Sequence, residues 1–96
     1  MRTPPVKLTR EEALRQLDSF VAELDSGWER DRLDWAPALL EMLREFSREA
    51  SKRDCDRRQL VVLRSRVRAY FTERQSLKGI EFILQDIDAV CASYDA

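Results

Sequence analysis

Four arginines carry the most suggestive spacing in this chain: Arg53, Arg57, Arg64 and Arg68 recur at intervals of 4, 7 and 4. On one continuous helix turning about 100° per residue, they would lie within roughly 60° of arc, as a cationic ridge beside an apolar stripe. Guanidinium groups one turn apart can meet successive phosphates, so one chemistry open to the ridge is nucleic-acid binding. The other is ion pairing with carboxylates of the same domain or of a second subunit, as at positions flanking a coiled-coil seam. The second is favoured. No glycine-rich turn or aromatic stacking set accompanies the arginines, and a pI near 5.5 is not the basic balance of a nucleic-acid binder. A helix-turn-helix reading is disfavoured too, because Asp54 and Asp56 would set carboxylates beside the phosphates.

Catalytic sets are missing from the pattern. The chain has no histidine, hence neither the commonest general base near neutral pH nor the commonest metal ligand. Two cysteines, Cys55 and Cys91, make neither a disulfide framework nor a zinc set. Arg53, Arg57 and Arg58 would stabilise a Cys55 thiolate, but Asp54 and Asp56 flank it and oppose that, so an inert thiol is expected. Glu11-Glu12 suits the positive end of a helix, and Asp86 and Asp88 have no spacing that separates an acid from a base. Gly27 and Gly79 are isolated, so no phosphate-binding loop exists. No catalytic residue, cofactor or metal is expected.

Two tryptophans, Trp28 and Trp35, bracket a charged connector. Large rigid rings of this kind fill pockets at protein interfaces, which makes the pair a candidate docking patch. The plainer reading has both cap the end of a helical bundle over Leu24 and Leu39, with Trp28 the more exposed. The partner-binding candidates are therefore Trp28, Trp35, Arg57, Arg64 and Arg68.

The elements that must position these residues are helices. With 44% hydrophobic and 36% charged residues, two glycines and three prolines, the chain has apolar material for a core and few helix breakers. Residues 1–8, with Pro4-Pro5, read as an extended lead-in to a single domain over 9–96. Thr9 and Glu12 fit a capping box, and Leu14, Leu17, Val21 and Leu24 then mark a helix over about 10–25. Gly27 is the expected left-handed residue after it. Asp34 is the expected cap of a second helix over about 35–50, with Pro37 in its first turn. A third helix over about 55–74 follows the stripe Leu60, Leu63, Val67 and Phe71. It is either separated from the second, with Asp54 or Asp56 as cap, or continuous with it; a break is favoured. Ser76 is the expected cap of a fourth over about 77–94, antiparallel to the third. The fold class is thus all-α, a small up-and-down bundle of about four helices.

Charge is segregated along this bundle. Residues 1–51 hold 8 basic and 11 acidic side chains, residues 52–78 hold 9 and 3, and residues 79–96 hold none and 4. A near-neutral total of −1 therefore conceals a basic third segment between acidic ones. Without a run approaching the ~18 apolar residues of a membrane span, a cytoplasmic location is expected. The functional expectation is a non-enzymatic protein–protein interaction module, an adaptor or regulator that presents helix faces and self-associates as a homodimer. A nucleic-acid-binding regulator using the arginine ridge is the alternative.

Overall fold

The computed structural model describes residues 9–94, with the side chains of Gln75, Ser76 and Lys78 excepted; the lead-in expected over 1–8 lies outside them. Four α-helices form: α1 (Arg10–Gly27), α2 (Ala36–Ala50), α3 (Arg57–Glu73) and α4 (Phe82–Ser93), with a 3₁₀ helix (Gln75–Ile80) between the last two. No strand occurs among the described residues.

Helix α1 starts where the sequence places it. The Thr9 hydroxyl oxygen accepts from the Glu12 N–H at 3.1 Å, and the hydroxyl donates to Glu12 Oε1, so the cap side chain and the third helical residue hold each other. Its C-terminus differs from expectation. Gly27 stays helical, and the left-handed residue is Arg32, at φ 55. The reason is hydrogen bonding beyond the glycine: Asp31 N donates to Gly27 O and Leu33 N to Trp28 O, so the chain keeps coiling and reverses five residues later. A left-handed side chain costs about 1–2 kcal/mol that glycine avoids. Arg32→Gly is therefore expected to stabilise the fold by up to about 1 kcal/mol after glycine's greater freedom in the unfolded chain is counted, and so to raise the melting point. A fall in thermal denaturation midpoint would contradict this.

Asp34 does not cap α2. Trp35 occupies that place with helical dihedrals and no side-chain cap, because the Ala36 N–H donates to Leu33 O and runs the preceding turn straight into the helix. Helices α2 and α3 are separate. Asp56 caps α3 through its carboxylate on the Arg58 N–H at 2.9 Å. Glu49 clasps the corner by accepting from the Asp56 N–H and from Lys52 Nζ. The stretch expected to begin the fourth helix is instead the 3₁₀ helix, and α4 starts at Phe82 after Glu81, not after Ser76. Three residues per turn bring Leu77 and Ile80 onto one face, where Leu77 is fully buried and Ile80 packs on the core.

The helices run alternately up and down and close into a ring. Asp18 and Asp25 of α1 meet Ser47 and Arg44 of α2, Glu45 of α2 meets Arg66 of α3, and Arg64 of α3 meets Asp88 of α4. Arg10 at the start of α1 donates to Ser93 at the end of α4, which closes the ring. One core fills it, with Leu17, Leu43, Phe46, Leu60, Ile83 and Ile87 fully buried. Two tyrosines fasten α2 at its ends: the Tyr70 hydroxyl donates to Trp35 O at 2.8 Å and the Tyr94 hydroxyl to Ala50 O at 2.9 Å.

Candidate functional site

Helix α3 aims its arginines by the same period that buries its leucines. Leu60, Leu63 and Val67 face the core, so Arg57, Arg64 and Arg68 fall along the seam with α4. Arg53 lies in the 51–56 linker and drops out of the ridge. Asp88 of α4 anchors two of the three: Arg68 donates to Oδ2, and Arg64 approaches Oδ1 at 3.9 Å. These guanidiniums therefore meet a carboxylate of their own domain, the ion-pairing alternative of the sequence analysis. Arg57 and Arg64 also line a small cavity of about 120 Å³ with Leu60, Val61, Cys91 and Tyr94.

The tryptophans do not join this seam. Trp28 and Trp35 are both half-buried and pack against the core, and Trp35 presents its carbonyl to Tyr70. Tyr70 and Arg57 sit near opposite ends of α3, about 20 Å apart at ~1.5 Å per residue. The five candidates thus divide into a basic seam and an aromatic end.

The thiols behave as packing groups. Cys91 is buried, and burial pushes its thiol above the ordinary range, although the Arg64 guanidinium pulls the other way. A thiol held protonated is a poor nucleophile. Burial also raises the Tyr94 phenol, with the nearby Cys55 acting in the same direction, while Arg10 lies 3.8 Å over the Tyr94 ring. Among the described residues, no three His, Cys, Asp or Glu side chains assemble as a metal cage requires, and no helix is long and apolar enough to cross a membrane.

Two surfaces that the sequence reading passed over stand out in the packing. On α3, Val61 and Val62 are each 45% exposed beside Arg57 and Arg58; Val61 lines a groove with Cys55, Asp56 and those two arginines. Between α1 and α4, Phe82 is 53% exposed and stands edge-on to Phe20, with ring centroids 5.6 Å apart at 88°. Gln16, Ser19, Phe20, Glu23, Phe82 and Asp86 line the cleft at this pair. Asp86 occupies a stripe position between Ile83 and Ile87 and is only 5% exposed. An acid on the apolar stripe was the available signal; reading it with Asp88 as an acidic pair hid it.

Burial holds the Asp86 carboxyl above the usual carboxylate range. A group more easily protonated in the fold than in the open chain adds stability while it is neutral. That contribution is complete below the unfolded value of about 3.9 and is lost as pH rises through the folded one. The other carboxylate lining the cleft is Glu23. Asp86→Asn, neutral at every pH, should melt a few degrees above the wild type at pH 7, with the gap closing below about pH 4. Thermal scans across that range check the sign; equal midpoints at neutral pH would count against it.

Comparison of the chain with family models, with curated proteins and with solved structures finds no match. Its class is therefore defined by architecture: an all-α, four-helix, up-and-down bundle.

Proposed function

We propose that this chain is a non-enzymatic protein–protein interaction module, an adaptor or regulator that works in the cytoplasm by presenting helix faces and that pairs with itself as a two-fold dimer. The observation that carries this reading is the surface of α3, where Val61 and Val62 stand 45% exposed beside Arg57 and Arg58. Apolar side chains interleaved with arginine are the composition that protein interfaces favour. A dimer in which one copy's α3 meets the other's would cover both valines at once.

Sedimentation equilibrium at micromolar concentration tests the proposal. A mass of twice 11.3 kDa, reverting to 11.3 kDa in Val61→Glu/Val62→Glu, is expected. A wild-type mass of 11.3 kDa at every concentration retires the dimer. The nucleic-acid alternative predicts anisotropy changes with labelled duplex at low salt that fade steeply as salt is added. The engagement of Arg64 and Arg68 by Asp88 weighs against it.

A further inference from the structure

Asp86 is the buried charged side chain of the described core, and it has no hydrogen-bond or ion-pair partner among the described residues. A carboxylate in such a place opposes folding in part, since its oxygens keep only the water that the cleft admits and no protein group makes up the rest. The cleft it lines supplies the rest of a recognition site. Phe20 and Phe82 give aromatic surface, Glu23 a second carboxylate, and Gln16 and Ser19 polar walls. At about 270 Å³ the cleft lies below the roughly 300–1,000 Å³ of pockets for drug-sized molecules, and it suits one long side chain.

We infer that this cleft receives an arginine side chain from a partner protein, its stem against Phe20 and Phe82 and its guanidinium against Asp86, with Glu23 contributing to the field. Arginine fits better than lysine because its planar head stacks on aromatic rings, meets a carboxylate through two donors and is more weakly hydrated. The lining has the sign the ligand needs: Glu23 and Asp86 are its charged members, and no basic side chain is among its described residues. A second copy is a poorer occupant, because the two-fold pairing proposed above joins the copies through the α3 valines, whereas the cleft lies between α1 and α4. The inference rests on reading the chain as an interaction module, and it names the chemistry of one partner.

The test is a ¹H–¹⁵N titration with a short, end-blocked peptide containing one arginine between leucines, alongside its citrulline analogue and free arginine amide. Shifts centred on Ser19, Phe20, Glu23, Phe82 and Asp86 are expected with the arginine peptide and absent with citrulline. Phe82→Ala and Asp86→Asn, each checked for an intact melt, should weaken binding at least tenfold. Arginine amide binding as tightly as the peptide would overturn the proposal in favour of a site for small cations. Loss of self-association in Phe82→Ala would overturn it in favour of a second copy. No shifts at the cleft, with the α3 valines still driving dimerisation in the sedimentation experiment, would end this inference and leave the module reading standing. A monomer that binds the arginine peptide at the cleft would do the reverse to the dimer.

Discussion

Phe46→Ala is expected to lower stability by about 3–5 kcal/mol, the range for truncating a buried aromatic ring. Phe46 sits one turn from the C-terminal end of α2, fully buried, on the helix that packs against both α1 and α3. Removing the ring deletes apolar surface from the core and leaves a void that four fixed helices cannot close. A domain of this size holds roughly 5–15 kcal/mol in total, so the substitution takes a large share of it. The thermal midpoint, read by circular dichroism, should fall by at least about 12 °C. Phe46→Leu, which keeps most of the volume, should cost clearly less. A fall of under about 5 °C for the alanine variant would mean that the ring is not in a closed core.

Leu77→Ala is expected to cost about 2–5 kcal/mol, although the residue lies in a connector, where surface changes usually stay within about 0.5 kcal/mol. The difference comes from burial. Leu77 is fully buried, and its 3₁₀ helix packs on α3, so the connector is a part of the core that happens to join two helices. Its loss should loosen the entry into α4 before the rest. Hydrogen exchange should show the amides of residues 80–84 opening first, with the centres of α1 and α2 still protected. Uniform exchange across the domain, or a loss below about 0.5 kcal/mol, would refute this.

The helices were legible because a period near 3.6 can be read wherever leucines, isoleucines and phenylalanines return on one face. The start of α1 was legible, and the cap of α3 was narrowed to Asp54 or Asp56, because the chemistry of a cap is local. What failed was decided by competing contacts. Gly27 has the intrinsic freedom to turn left-handed, but backbone hydrogen bonds reaching past it moved the reversal to Arg32. Leu77 and Ile80 are three apart, a spacing that serves one turn of either helix type, so the elbow before α4 looked like the start of α4 itself. The arginine spacing correctly placed Arg57, Arg64 and Arg68 on one side of α3, while Asp88 as their anchor required the packing of α4. The aromatic cleft was invisible for the same reason: Phe20 and Phe82 are 62 positions apart and meet only when the ring of helices closes.

That closure has a consequence for how the domain can be tethered. The Arg10–Ser93 hydrogen bond sets the beginning and end of the bundle side by side. A tether fixed at residue 9 and another fixed at residue 94 would start from the same pole, with the tryptophan-bearing pole turned outward. The two strands of attachment would share one direction of pull, and a short splice between them would permit the chain to be reopened within the 51–56 linker as a circular permutant.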